Sequence, residues 1–332
     1  MNDISVEEKI LAGLFLCSSE SNEILQEIRP EWNKKIDLPV EDKCSMLNAQ
    51  YSILNLFPFK EELSKGIETE QFVLSHLKQP DLFLRLRPGK EIIVKQKLEE
   101  TGIRFDEITD TCIVLFNSSK IDDVIEFNKE AVVQDYSSQQ VGSFFEDLKP
   151  QTLNLKFAIW DCCAASGGKS IMLYDLDPTI NLTVSDIRES ILANLRKRFN
   201  EAGIKKYQSL VIDLTKPISN FNSQNFDLII CDAPCSGSGT WGRTPEQLCY
   251  FEKNRIDSYA SLQQKIVSNV IPHVKPGGYL LYITCSVFKR ENEEVVELIK
   301  KGFNLHLIKM EVLKGYDKKA DTMFAALLQK PL

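Results

Sequence analysis

The chain has 332 residues, 43% of them apolar and 26% charged, proportions that exclude wholesale disorder, a collagen-like repeat and a disulfide scaffold. The net charge of −7 argues against non-specific coating of nucleic acid. It is unevenly spread: residues 1–80 hold 8 basic and 14 acidic side chains, and residues 81–332 hold 32 and 33, which leaves room for a basic surface in the later part.

Nine dispersed cysteines, an odd number, fit a reducing compartment better than a disulfide framework. The first residues carry Asp3, Glu7 and Glu8, the wrong sign for a signal peptide. No apolar stretch approaches the roughly 18 residues a membrane span needs. The expectation is a cytoplasmic monomer with no membrane partner.

Residues 1–80 read as a helical region. Ser5-Val6-Glu7-Glu8 fits a capping box, and Ile10, Leu11, Leu14 and Phe15 fall on one face of the helix that follows. A second helical stretch runs from about Val40 to Phe57. No chemistry is visible here.

Residues 81–149 read as a small α+β module. Leu82–Leu86 alternates like a strand, Glu91–Thr101 is amphipathic and stops at Gly102, and Cys112–Phe116 is a second strand. Arg85, Arg87, Lys90, Lys95 and Lys97 are the basic residues from which a phosphate-binding groove is expected, although such lysines usually form a solvated helix face.

Residues 150–332 have a βαβ rhythm. Strands are predicted at 157–160, 182–185, 209–212, 226–231, 279–284 and 304–309, with helices at 187–202, 258–271 and 290–301. This is an α/β, mostly parallel sheet with helices on both faces, whose ligands bind beyond the carboxyl ends of the strands.

Two patterns there are decoys. Gly168-Lys169-Ser170 ends like a P-loop, but the glycine required five residues before Gly168 is Cys163. Gly237-Ser-Gly-Thr-Trp-Gly242 matches a dinucleotide fingerprint, but it lies late in the fold between Pro234 and Pro245 rather than opening the first helix. No metal is expected either: Cys162-Cys163 and Cys231-x3-Cys235 lack a second ligand pair at finger spacing.

The remaining strand ends carry the chemistry. After the first comes Asp161-Cys-Cys-Ala-Ala-Ser-Gly-Gly-Lys169, small enough for a ligand to approach the backbone at a strand-to-helix turn. Asp186 follows the second and suits a ribose diol; Asp213 follows the third and suits an adenine amino group. Together they have the logic of an adenosine pocket, although a single strand-end aspartate is usually a helix cap. The fourth and fifth strands lead into Asp232-Ala-Pro-Cys235-Ser-Gly237 and Thr284-Cys285-Ser286, then Glu291-Asn-Glu293. Two cysteines at neighbouring strand ends beside an aspartate suggest covalent chemistry, where one alone would be a core residue.

With Gln134-Asp-Tyr-Ser-Ser-Gln139 upstream, these segments make the chain from about residue 81 resemble the RsmB-like (NOL/NOP/Sun) family of S-adenosylmethionine-dependent RNA cytosine-C5 methyltransferases. The resemblance implies a class I methyltransferase Rossmann-like domain over 150–332, with 81–149 as a small RNA-binding module. It implies S-adenosyl-L-methionine held by Cys163, Ala164, Ala165, Ser166, Gly167, Gly168 and Lys169, with Asp186 on the ribose, Asp213 near the adenine and Asp232 at the methionine end. Cys285 would be the nucleophile toward cytosine C6, Asp232 would bind the base edge, and Cys235 would assist release. There are two departures. Ser166 stands where the family usually has proline, and the family often has a longer N-terminal helical domain.

The implied substrate is small-subunit (16S) ribosomal RNA, with transfer RNA as the alternative. DNA cytosine methyltransferases share the Pro-Cys pair but lack the second Thr-Cys-Ser site. A non-catalytic ribosome-assembly factor would be expected to have lost Asp232, Cys235 or Cys285, and all three are present.

Overall fold

The computed structural model describes residues 5–47, 56–146, 148, 157–218 and 225–332. The N-terminal region is helical as expected. Ser5 Oγ accepts the Glu8 N–H, capping the helix Val6–Cys17, while the Glu8 carboxylate pairs with Arg29. Leu11 and Phe15 are buried, but Ile10, expected on the same face, is exposed. Of the helical stretch expected from Val40, the helix Val40–Leu47 is formed; the rest, up to Phe57, lies mostly outside the described residues.

The module is a four-stranded antiparallel sheet. Its strands are β1 (Leu82–Leu86), β2 (Phe105–Thr109), β3 (Cys112–Leu115) and β4 (Ala131–Val133), in the order β2-β3-β1-β4. β2 and β4 were not foreseen: in β2, at a sheet edge, the adjacent acids Asp106 and Glu107 break the alternation, and β4 is three residues long. The helix Glu91–Glu100 buries Val94 and Leu98 against Leu84, Leu86, Ile113 and Leu115.

The expected basic groove is not formed by these residues. Arg85 and Arg87 turn inward and meet Asp175 at 2.6 and 2.5 Å, all three nine-tenths buried or close to it. Arg87 also donates to the carbonyls of Asn128 and Ala202. Lys95 pairs with Glu107 and Lys97 with Glu130. Four of the five charges, all but that of Lys90, are committed to acids of the same fold, and the arginines bind the module to the helix Gly168–Leu176, which carries Asp175.

The larger sheet has seven strands: β5 (Ala158–Asp161), β6 (Asn181–Asp186), β7 (Tyr207–Val211), β8 (Phe226–Asp232), β9 (Val274–Thr284), β10 (His306–Leu313) and β11 (Met323–Gln329), in the order β10-β11-β9-β8-β5-β6-β7. β7, β6, β5, β8 and β9 pair in parallel; β11 and β10 are antiparallel additions. β11 was missed. Met-Phe-Ala-Ala-Leu-Leu is buried on both faces, so it shows no alternation and its short apolar run does not separate strand from helix. Helices cover both faces, over cores centred on Leu192, Leu195 and Phe199 on one side and Ile266, Val267 and Val295 on the other.

Replacing Asp175 with alanine leaves two guanidinium groups facing each other in a buried junction. The expected loss is about 3–5 kcal/mol of stability, the cost of orphaning buried charge. Urea unfolding of the full chain measures it, and a loss below about 1 kcal/mol would show that the junction is solvated.

Candidate active site

β5 runs directly into the glycine loop. Cys162 N–H donates to Ile230 O on β8, and Ala164 N–H donates to Ser185 O on β6, each at 2.9 Å. Gly167 has φ +83°, and a Cβ there would lie 2.6 Å from the Phe199 ring, so only glycine lets the loop press against the helix Glu189–Glu201. Gly168 then opens the helix Gly168–Leu176. The P-loop resemblance ends there: Lys169 Nζ meets Asp232 Oδ2 at 2.6 Å, and Ser170 Oγ donates to Asp161 Oδ2 at 2.6 Å. The dinucleotide-like glycine run forms a short 3-10 turn at Ser238–Thr240 instead of a helix start.

Between this loop and the Gln134–Ser138 stretch lies a cavity of about 210 Å³. It is bordered by Cys163, Ala164, Ala165, Ser166, Gly168 and Lys169, and closed by Asp161, Arg198 and Asp232. Asp161 Oδ1 is buried there with no hydrogen-bond partner among the described residues. Burial raises this carboxyl to about 7, against the Ser170 hydrogen bond. Burial draws Lys169 down, but the Asp232 charge and hydrogen bond outweigh it and hold the ammonium above its ordinary value.

The two outer aspartates stand apart from this cavity. Asp186 ends β6 buried; it accepts the N–H groups of Ala165 and Arg188 at 3.2 and 3.0 Å and pairs with the exposed Arg188 guanidinium. Asp213 accepts the Thr215 N–H and hydroxyl at 3.1 and 2.6 Å and pairs with Lys216 at 3.1 Å. The Thr215 contacts hold Asp213 below the usual carboxylate range, in a local turn closed by its own side chain.

β8 and β9 are neighbours, so their carboxyl-end loops converge. Cys235 Sγ and Cys285 Sγ lie 3.2 Å apart, both half-buried. The Cys285 sulfur and burial together push the Cys235 thiol well above its ordinary value, so Cys235 keeps its proton. The charge of Cys285 is one of the influences that raise Lys169, which places the cysteine pair near the Lys169–Asp232 pair. Gly239 seals the arrangement. Its N–H donates to Cys285 O at 2.9 Å, and a Cβ would lie 1.9 Å from Thr322 O.

Cys162, Cys163 and Cys231 also converge, with their sulfurs within 4.8 Å of one another, whereas Cys235 turns away to Cys285. The spacing of these residues in sequence separates them, but pairing of β5 with β8 brings them together.

Glu291-Asn-Glu293 proves to be the frame of the site, a role sequence reading did not assign. The Glu291 carboxylate accepts Ser236 N–H at 2.8 Å, Ser286 Oγ at 2.9 Å and Gln263 Nε2 at 3.1 Å. Asn292 holds Thr284 Oγ1 and Ser286 O. Glu293 accepts Ser64 Oγ and Lys65 N–H, so the N-terminal region docks on the same motif. Its signal was the spacing of three amide or acid side chains just after the fifth strand.

The layout, a seven-stranded sheet with its glycine loop and cysteines at the parallel carboxyl ends, defines a Rossmann-like fold of the class I methyltransferase type. Residues 147–328 match the family described as 16S rRNA methyltransferase RsmB/F, and the chain belongs to that family. A relative from Xanthomonas campestris, named ribosomal RNA small subunit methyltransferase B, is 33% identical over half of this chain and 37% of its own length. The chain thus spans well under half of that relative. The crystal structure of PH0851 superposes with TM-score 0.71 at 25% identity, over 92% of this chain and 75% of that one. NSun6 from Pyrococcus horikoshii, solved with SFG, superposes with TM-score 0.70 at 14% identity over 82% of this chain and 97% of that one.

The raised Asp161 carboxyl has a measurable consequence. The fold keeps a proton that the unfolded chain releases near pH 4, so this group's contribution to stability falls from about pH 4 to pH 7 and is level above. Asp161→Asn removes that slope. The variant is expected to gain on wild type by roughly 2–4 kcal/mol between pH 4.5 and pH 8 in paired urea titrations. Parallel pH profiles would show that the carboxyl is ionised in the fold.

Proposed function

We propose that the chain is an RNA (cytosine-C5)-methyltransferase that uses S-adenosyl-L-methionine and acts on small-subunit ribosomal RNA. The observation that carries this is the 3.2 Å pairing of Cys235 with Cys285 at neighbouring strand ends, beside the Lys169–Asp232 pair. The family description and the name of the Xanthomonas relative support ribosomal RNA as substrate.

The cavity suits the cofactor. It is polar, bordered by the glycine loop, and contains one buried carboxylate oxygen with an unused lone pair. The loop from Cys163 to Lys169 would hold the cofactor, with Asp232 at its methionine end. Asp186 would take the ribose by exchanging its exposed Arg188 contact. Asp213 would lie toward the adenine, its side chain fixed by its own turn. Bound there, S-adenosylmethionine supplies an electrophilic methyl group.

The protein's part is to make cytosine C5 a nucleophile. The Cys285 thiolate adds to C6, and Asp232, held by Lys169, supports the protonated N3 edge. After C5 has gained the methyl group, its proton leaves to a base and the electron pair of the C–S bond returns to sulfur, with Cys235 assisting release. The target base must be unstacked, which a single-stranded segment allows at least cost. In this reading the four-stranded module forms part of the RNA-binding surface, and the protein works as a cytoplasmic monomer.

Three measurements test the proposal. Cys285→Ala should abolish transfer and give no protein–RNA adduct, whereas Cys235→Ala should accumulate a denaturation-resistant adduct with RNA and cofactor. An adduct on Cys285→Ala instead would assign the attack to Cys235. Asp186→Ala should weaken cofactor binding by about 1.5–3 kcal/mol in calorimetry, the range for a hydrogen bond to a charged group. Bisulfite sequencing of ribosomal and transfer RNA with and without the protein identifies the substrate; a lost site in transfer RNA alone would replace the ribosomal reading.

A further inference from the structure

Ser166 sits between two left-handed residues, Ala165 at φ +48° and Gly167 at φ +83°. Its neighbour Ala165 has no glycine-like freedom, so this turn persists only where the surroundings hold it. Two side chains do so: Asp186 accepts the Ala165 N–H at 3.2 Å, and Arg198 holds Ser166. Arg198, on the helix Glu189–Glu201, donates Nη1 to Ser166 Oγ at 2.7 Å and to Ser166 O at 3.0 Å. Its Nε donates to Asn128 Oδ1 at 2.9 Å.

Asn128 is itself fixed. It is buried, has φ +62°, donates Nδ2 to Glu201 at 2.8 Å and accepts Arg87 Nη1 on its carbonyl at 2.8 Å. Arg87 in turn is locked to Asp175. A continuous line of hydrogen bonds therefore runs from the module, through Asn128 and Arg198, into the loop that borders the cavity. The guanidinium is a rigid fork and supplies donors to both ends at once, which an ammonium on a flexible stem does not.

We infer that Arg198 is the positioning residue of the cofactor loop: it clamps Ser166 and ties the loop to the four-stranded module. Where the family usually has proline, the pyrrolidine ring restrains this backbone covalently. Here a serine and an arginine restrain it by hydrogen bonds, and the restraint depends on the module staying docked. Asn128, which does not border the cavity, becomes part of the loop's support. The inference rests on the reading of this loop as the cofactor loop.

Two measurements on the full chain test it, and they fail separately. The first is hydrogen exchange of the unliganded protein. Arg198→Met and Arg198→Lys should speed exchange at Ala164, Ala165 and Gly167 roughly tenfold or more, the scale of losing a hydrogen bond to a charged group. Asn128→Ala should speed it less, and the exchange of β5 should be unchanged. Ser166→Pro in the Arg198→Met background should restore slow exchange. The second is calorimetry with S-adenosylhomocysteine. Arg198→Met should weaken binding roughly tenfold or more, but by less than about threefold when Ser166→Pro is present. Unchanged loop exchange in Arg198→Met, or equal losses with serine and proline, would overturn the clamp. Faster loop exchange in Arg198→Met, together with a wild type that binds no S-adenosylhomocysteine, would keep the clamp and overturn the cofactor reading.

Discussion

Glu291 is wholly buried, and its carboxylate joins the two loops that carry Cys235 and Cys285. One oxygen takes the Ser286 hydroxyl, beside Cys285; the other takes the Ser236 N–H, beside Cys235, and the Gln263 amide. A buried carboxylate is costly unless its lone pairs are satisfied, and here three donors satisfy it. Burial still raises its pKa against those hydrogen bonds. The cost is returned as geometry: Glu291 ties the Ser236 backbone to the Ser286 side chain, next to the two cysteines whose sulfurs lie 3.2 Å apart. Tyr282 OH fixes the carbonyl of Glu291 itself at 2.6 Å, so the bridge is anchored in β9.

The parallel strands and their helices were legible in the sequence because each apolar run ended at a turn carrying polar or small residues. The glycine loop, Asp186, Asp232 and both cysteines fall at strand ends for the same reason. What was not legible depends on partners distant in sequence. β11 is buried on both faces and so carries no alternation. Arg85 and Arg87 looked like a phosphate-binding surface, but Asp175, some 90 positions on, takes both. A basic residue on a short strand has the same local pattern whether it faces solvent or a buried acid. Asp213 illustrates the converse: the bland reading of a strand-end aspartate is a helix cap, but no helix follows among the described residues, and its hydrogen bonds close a local turn.

The junction around Asp175 ties module and catalytic sheet into one structure. Arg85 Nε donates to Gln134 at 2.8 Å, and Gln134 borders the cavity. Asp135 accepts Arg243 Nη2 at 2.8 Å and the Asp321 N–H at 3.0 Å, reaching the segment before β11. Gln134 and Asp135, which border the cavity, are therefore held from the module on one side and from the segment before β11 on the other. In the proposed reaction, RNA bound to the module would meet a cofactor pocket already shaped by the same contacts.

The cysteine pair sets a last constraint. Two sulfurs 3.2 Å apart do not both ionise readily, because a second charge meets the repulsion of the first. The Cys235 thiol is the one pushed up, by the neighbouring sulfur and by burial. Identical side chains are thereby made unlike by position. Cys285 follows β9 directly, near the ammonium of Lys169, and Cys235 lies three residues beyond β8 with a proton to give or take. An attacking thiolate and a thiol that handles release are the two parts the proposed C6 addition and elimination require. Separating the sulfurs would remove that coupling, and the Glu291 bridge, which touches neither sulfur, is one of the contacts that keep the two loops together.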